Sequence, residues 1–162
     1  MRVLVTGAAG WSGSAVVGAL LEAGHSVVAH DLARSWEAER ERAGSGDTPP
    51  WTVPAPNGSS CECVEGDLLV AASVRSAVHG CDAVVHTAVL HPPSVEAVGG
   101  EDEVSRLTFL VQTNGLFNVL DAIKDTPSVQ RFVHVSSCWT AHVSCCSNHL
   151  SYVFFVRVCK YD

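Results

Sequence analysis

The sequence is short of positive charge and contains no long apolar run. Its 162 residues include 10 Lys and Arg against 17 Asp and Glu, for a formal net charge of −7. Nucleic-acid backbones and anionic membranes are bound by clustered Lys and Arg, so this balance argues against both as main partners. No apolar segment approaches the ~20 residues that a membrane-spanning helix needs. We therefore expect no nucleic-acid partner and no membrane partner.

The sequence also lacks the pattern of a secretory leader. Residues 1–2 lead directly into the strand-like apolar run 3–5 and then into a glycine turn. A signal peptide would place a longer apolar region after its positive charge. The expected location is therefore the cytoplasm.

The cysteines lack a metal-binding spacing. There are seven of them, an odd number, and they are irregularly placed. Neither Cys61-x-Cys63 nor the pair Cys145-Cys146 matches the two C-x2-C-like pairs of a zinc ribbon or finger. We expect reduced thiols and no metal site.

Short apolar runs alternate with helical patterns along most of the chain. Strands are predicted at 3–5, 26–31, 61–65, 83–86 and 132–135, helices at 11–23, 37–42, 70–79 and 105–124, and long loops at 44–60 and 89–103. This alternation predicts a doubly wound α/β fold, a parallel sheet of Rossmann-like order 3-2-1-4-5. The apolar segment 153–156 has two interpretations, a further strand beside the fifth or an exposed segment that aggregates.

A glycine-rich turn joins the first predicted strand to the first predicted helix. It has the sequence Thr6-Gly7-Ala8-Ala9-Gly10-Trp11-Ser12-Gly13. The first glycine permits the tight turn, the second lets the backbone approach a pyrophosphate, and the third lets the helix pack closely. The amide groups and dipole of the helix start then favour the phosphates. The turn therefore predicts a dinucleotide site.

An acidic residue stands where such a site needs one. Asp31 ends the second predicted strand, 18 residues after Gly13. That spacing is close to the ~20 residues expected for the acid that hydrogen-bonds the ribose 2′-hydroxyl. Its charge repels a 2′-phosphate, which favours NAD over NADP, although the neighbouring Arg34 offers such a phosphate a partner. A glycine turn without a ligand is disfavoured, because the preceding strand, the following helix and the acid at the end of the second strand all match a dinucleotide site.

Five motifs occur in chain order between residues 6 and 137. They are T-G-x-x-G-x-x-G at 6–13, Gly-Asp-Leu at 66–68, Asp-Ala-Val-Val-His-Thr-Ala at 82–88, Gly-Leu-Phe-Asn-Val-Leu-Asp-Ala at 115–122 and Arg-Phe-Val-His-Val-Ser-Ser at 131–137. Together they resemble the extended short-chain dehydrogenase/reductase family, the NAD-dependent epimerase/dehydratase group. The resemblance is specific for a fold and a nicotinamide cofactor.

The resemblance also implies roles for individual residues. Residues implied to bind the cofactor are Gly7, Ala9, Gly10, Trp11, Ser12, Gly13, Asp31, Asp67, Leu68, Thr87 and Ala88. Within this set, the Asp67 side chain and the amide after it are implied to hold the adenine. Ser137 is implied to hydrogen-bond the substrate carbonyl or hydroxyl as a catalytic residue.

Several positions depart from the family pattern. Gln112 stands in place of Asn and Leu116 in place of Thr, both in the long predicted helix. Ala141 stands where a Tyr is usual, and no Tyr-x-x-x-Lys pair follows Ser137. Residues 143–162 show no family resemblance. We therefore expect an NAD(P)-binding domain over 1–142 and a non-family tail over 143–162, without the remaining strands and the substrate domain.

The missing pair bears directly on function. In this family the Tyr acts as general acid/base, with its pKa lowered by the Lys and the nicotinamide. His86, His134 and His142 are candidate proton carriers, but a His that ends a buried strand is expected to be packed instead.

Two functions compete. The sequence predicts the NAD(P)-binding domain of an oxidoreductase that transfers hydride on a secondary alcohol of a sugar nucleotide, sterol or other small molecule, with this chain weak or inactive. The alternative is a non-catalytic dinucleotide-binding sensor or regulatory isoform. The expected partner is a small-molecule substrate, with a homodimer as the candidate assembly.

Overall fold

The computed structural model describes residues 1–43, 58–90, 99–137 and 151–156. Its elements are β1 (Arg2–Thr6), α1 (Trp11–Glu22), β2 (Ser26–Asp31), α2 (Ala33–Ala43), β3 (Cys61–Glu65), α3 (Ala71–Val78), β4 (Ala83–His86), α4 (Glu101–Leu110), a π-helical segment (Val111–Gly115), α5 (Leu116–Lys124), β5 (Arg131–Ser137) and β6 (Ser151–Val156). None of these helices is long and apolar enough to cross a membrane.

The strands form one sheet of order β3-β2-β1-β4-β5-β6. The first five strands are parallel, which confirms the predicted order 3-2-1-4-5. β6 pairs antiparallel with β5, with Ser137 opposite Ser151, so segment 153–156 adopts the strand interpretation. Because parallel strands end together, Thr6, Asp31 and His86 lie along one edge of the sheet, which we call the carboxyl edge.

Helices cover both faces of the parallel sheet and explain its apolar strands. On one face Leu4, Val28 and Val84 pack in a cluster with residues of α3 and α5. On the other face Val5 and Val27 pack with residues of α1 and α2. A strand buried on both faces has no polar alternation, as the run in β1 shows.

Two helices begin earlier than their patterns predict. α2 starts at Ala33 rather than 37, because Trp36 is buried in the core at 1% exposure. α4 starts at Glu101 rather than 105, so the run 101–103 is the first turn of a helix and not a loop. Acidic side chains there are stabilised by the helix dipole. The predicted loop segments 44–57 and 91–98 lie outside the described residues.

The long helix predicted at 105–124 is interrupted. Residues Val111–Gly115 form a π-helical segment between α4 and α5, and this segment contains Gln112. A Cβ on Gly115 would lie 3.2 Å from Leu68 Cβ. The absence of a side chain at Gly115 therefore lets the helix approach the segment predicted to hold adenine.

Candidate cofactor site

The glycine turn is held by contacts that leave no room for side chains. Gly7 has φ +73°, and a Cβ on it would lie 2.6 Å from the Ala88 Cα. A Cβ on Gly13 would lie 2.0 Å from the Gly7 carbonyl oxygen. Glycine is therefore required at both positions, and the turn lies directly against the loop that follows β4.

The start of α1 presents backbone donors to solvent. The first turn of a helix has amides without intrahelical acceptors, and no side chain of the described residues caps α1. Gly10, Trp11 and Ser12 are exposed there. Trp11 is 86% exposed, so it does not pack on the described part of the protein. This arrangement of open amides at a positive dipole end suits a phosphate.

Asp31 ties the turn to the neighbouring strands. Its Oδ2 accepts the Ala9 amide at 2.9 Å, and its Oδ1 accepts the Leu32 amide at 2.8 Å. The Asp31 carbonyl accepts the Gly66 amide at 2.9 Å. Sequence reasoning assigned Asp31 to the ribose but missed its bond to the turn. The acid and the glycine turn are therefore one unit.

The segment after β3 is fixed on both sides. Asp67 Oδ1 accepts the Leu69 amide at 2.9 Å, and the Leu68 carbonyl accepts the Asn118 Nδ2 group at 2.8 Å. Leu68 itself is 7% exposed. Asn118 belongs to α5, so the long helix orients this segment. Sequence reasoning identified the helix motif that contains Asn118 but not this function of its side chain.

The loop after β4 is pinned to the end of β1. The Thr87 hydroxyl donates to the Thr6 carbonyl at 2.7 Å, and the Thr87 amide donates to the same oxygen at 3.1 Å. Thr87 and Ala88 are half-buried. Both predicted residues thus lie beside the glycine turn at the carboxyl edge.

The strand-end histidines are interior groups. His86 is 1% exposed. Its Nδ1 shares a 2.7 Å hydrogen bond with the Thr6 hydroxyl, and its ring stacks on His134 with centroids 5.3 Å apart. Burial, with a smaller contribution from His134, lowers the pKa of His86 to about 4. Burial also lowers the pKa of His134. These groups are therefore uncharged packing residues at neutral pH, while His142 lies outside the described residues.

The structure gathers most of the predicted site along the carboxyl edge. The glycine turn, Asp31, the segment 66–68 and the loop at Thr87 are linked by the contacts above. Ser137 ends β5 at the same edge, where its backbone is paired with β6. Position 141, where the family has a Tyr, lies outside the described residues.

Comparison with known proteins gives a consistent family. The family model described as NAD dependent epimerase/dehydratase matches residues 3–144. A 3 beta-hydroxysteroid dehydrogenase/Delta 5-->4-isomerase of Mycobacterium tuberculosis is 35% identical over 139 residues, 84% of this chain and 31% of that protein. A dihydroflavonol 4-reductase of Zea mays is 32% identical over 142 residues, 87% of this chain and 36% of that protein.

Solved structures agree in fold. A UDP-glucose-4-epimerase from Stenotrophomonas maltophila, with bound NAD and formylated UDP-arabinopyranose, superposes with a TM-score of 0.60 at 26% identity. The match covers 94% of this chain and 43% of that one. A short-chain dehydrogenase/reductase superfamily protein from Agrobacterium tumefaciens with bound NAD gives a TM-score of 0.57 at 28% identity, over 85% of this chain and 33% of that one.

The chain spans about a third of the length of the first relatives it matches. The matched region nevertheless contains the glycine turn, Asp31, the segment 66–68 and the ends of β4 and β5. With a family model that matches residues 3–144, the chain belongs to the NAD-dependent epimerase/dehydratase family.

Proposed function

We propose that this chain is the NAD(P)-binding domain of an epimerase/dehydratase-type oxidoreductase. The cofactor lies along the carboxyl edge of the sheet, with its pyrophosphate on the amides of Trp11 and Ser12 and against Gly10, whose own amide donates to the Gly7 carbonyl at 3.1 Å. The residues present fit such a group, because a Cβ on Gly7 or Gly13 would strike backbone and α1 has uncapped amides. The remaining cofactor contacts are those of Asp31 with the ribose, Asp67 and Leu68 with the adenine, and Thr87 and Ala88 beside the nicotinamide half.

One observation carries this proposal: Asp31 accepts the Ala9 amide at 2.9 Å. This bond holds the Asp31 carboxylate directly against the glycine turn. A ribose attached to a phosphate on that turn is thereby brought next to an acceptor for its hydroxyls. NAD is preferred over NADP, because the same carboxylate repels a 2′-phosphate. Arg34 is exposed and forms no described bond to Asp31, so it does not neutralise that carboxylate.

The bound cofactor would supply a hydride acceptor for a secondary alcohol. Toward that chemistry, Ser137 at the end of β5 hydrogen-bonds the reacting oxygen and orients it. His86 does not take the substrate proton, because it is buried and bonded to Thr6. With no Tyr-x-x-x-Lys in the sequence after Ser137, the 162-residue chain alone binds cofactor with little or no turnover.

The substrate class is proposed from the relatives. The Stenotrophomonas structure holds a sugar nucleotide, and the Mycobacterium relative acts on a 3 beta-hydroxysteroid by name. A secondary alcohol on a sugar nucleotide, sterol or other small molecule is the common feature. The homodimer and the cytoplasmic location stay predictions, to be checked by sedimentation and by imaging of the tagged chain.

Calorimetric titration of the purified chain with NAD and NADP tests the proposal. We expect NAD to bind more tightly than NADP, and no NADH to form when secondary alcohols of the two classes are added. Failure of both dinucleotides to bind a folded chain would contradict the cofactor assignment. Steady NADH formation would instead contradict the absence of turnover and leave the binding assignment intact.

Substitution of Asp31 provides a sharper prediction. Asp31→Asn retains the size of the side chain but removes its charge and one of its two acceptor oxygens. Loss of a hydrogen bond to a charged group costs ~1.5–3 kcal/mol, so NAD affinity should fall roughly 10- to 150-fold. NADP affinity should fall less, because the repulsion of its 2′-phosphate is relieved. Calorimetry with both dinucleotides measures the ratio.

Asp82 is the matched control for Asp31. Its Oδ2 also accepts a backbone amide, that of Arg2 at 2.7 Å, but before β4 at the opposite edge of the sheet. Asp82→Asn therefore makes the same chemical change at a carboxylate that also holds a backbone amide, and it should leave NAD affinity unchanged. Equal NAD binding by Asp31→Asn and the unmodified chain, or an equal loss in both variants, would refute the role given to Asp31.

A further inference from the structure

Two cysteines lie side by side on the edge strand β3, away from the cofactor residues. Cys61 and Cys63 are two positions apart and pair with Val27 and Ala29 of β2, so they share one face of the sheet. Cys61 is half-buried against the cluster that contains Trp36, and Cys63 is exposed. The two thiols therefore leave β3 on the same face of the sheet, and the pair is accessible from solvent at Cys63.

Strand geometry disfavours a disulfide between these thiols. Neighbours on one face of a strand are about 6.6 Å apart and their Cα–Cβ bonds point the same way. A disulfide needs Cβ atoms ~3.5–4.5 Å apart. Closing one would pull β3 out of its register with β2. A metal ion bonded to both sulfurs at roughly 2.3 Å each spans the wider gap without moving the backbone.

We propose that Cys61 and Cys63 form a two-coordinate dithiolate site for a soft monovalent metal ion of the Cu(I) class. Thiolate sulfur is a soft ligand and selects soft ions. The pair is not a structural zinc site, because such a site needs four protein ligands. Within the described ranges, no group of three or more His, Cys, Asp or Glu residues is placed to hold a metal ion.

The protons and charges around the pair are consistent with such a site. Binding releases both thiol protons to solvent, each sulfur donates a lone pair to the ion, and no electron is transferred. Glu62 points to the other face, where it pairs with Arg2. Because two protons are displaced, the affinity should rise with pH.

The test is titration of the full chain with Cu(I), buffered by a chromophoric Cu(I) chelator under anaerobic conditions. Cys138, Cys145, Cys146 and Cys159 are first replaced by Ser, so that only the three described cysteines remain. We expect one Cu(I) per chain, and X-ray absorption should show two sulfur neighbours. Adding Cys61→Ser or Cys63→Ser should weaken binding about 100-fold or more, since removing a ligand costs at least as much as removing its outer-shell partner.

Cys81 is the matched control, because its thiol is fully buried and donates to the Ala77 carbonyl at 3.4 Å. Cys81→Ser should retain the Cu(I) site. Circular dichroism checks that each variant is folded. The proposal is overturned if the Cys61→Ser/Cys63→Ser variant binds Cu(I) unchanged, or if half an equivalent of Cu(I) binds by joining two chains. It is also overturned if oxidised glutathione converts the pair to an internal disulfide while β3 stays paired.

Discussion

Gly13→Ala is expected to lower the free energy of unfolding by at least about 3 kcal/mol, the upper range for overpacking. The added Cβ would lie 2.0 Å from the Gly7 carbonyl oxygen and 2.8 Å from the Ala8 Cα. Both neighbours are backbone atoms, so no side chain can rotate away, and the glycine turn must move. Thermal unfolding followed by circular dichroism should show a melting temperature roughly 6–12 °C lower. Titration with NAD should show no binding.

Gly18 provides the control within the same helix. A Cβ there meets nothing within 4 Å, and Gly18 lies in the middle of α1. Gly18→Ala should therefore stabilise the chain by about 0.5–1 kcal/mol, the ordinary gain from Ala over Gly in a helix. If Gly→Ala lowers the melting temperature at position 13 and raises it at position 18, the surroundings of each glycine, and not helix propensity, decide the outcome. Equal melting temperatures for the two variants would contradict the close packing described at Gly13.

The strands and the glycine turn could be predicted because their signals are local. Buried parallel strands are short apolar runs without alternation, and a turn that needs glycine at fixed offsets is visible in any sequence. Gly7 and Gly13 are required where the motif predicts them, since a side chain on either would strike backbone. The chain order of the strands then leaves few arrangements for the sheet.

The early start of α2 could not be predicted, because its cause is tertiary. Trp36 is the one large apolar residue in the charged segment Ala33–Ala43, so no helical spacing of apolar residues indicates a buried face. It is nonetheless 1% exposed and belongs to the same core cluster as residues of β2 and α1. The start of α4 was missed for a different reason, since an acidic run predicts a solvated loop as readily as a first helical turn.

The contacts that build the candidate site join residues far apart in the chain. Asp31 bonds to Ala9, Asn118 to Leu68, and Thr87 to Thr6. A motif predicts that each residue belongs to the site but not which partner it holds. The π-helical segment was missed although the sequence carries a sign of it. The apolar positions Val111 and Leu116 stand five residues apart, one more than the spacing of an α-helical stripe.

The folded chain is expected to lose stability between pH 7 and pH 5 because of its buried histidines. The pKa of His86 falls from the ordinary 6.5 to about 4 in the folded chain. Below pH 6.5 the His86 imidazole binds a proton in the unfolded chain but stays neutral in the folded chain, so acid favours unfolding. His86 alone should cost about 2 kcal/mol by pH 5. The pKa values of His30 and His134 are lowered as well, which acts in the same direction. Urea unfolding at half-unit pH steps measures the slope.

His86→Asn assigns that slope to one side chain. Asn retains a hydrogen-bond partner for the buried Thr6 hydroxyl but does not titrate, so the variant begins less stable and should lose less stability on acidification. His79 is exposed at the end of α3, and His79→Asn should leave the slope close to that of the unmodified chain. A slope in His86→Asn as steep as in the unmodified chain would contradict the assignment. Each variant gives its own slope of the free energy of unfolding against pH, so the constant cost of the cavity that Asn creates cancels within that slope. The difference between the slopes therefore measures the effect of burying the His86 ring.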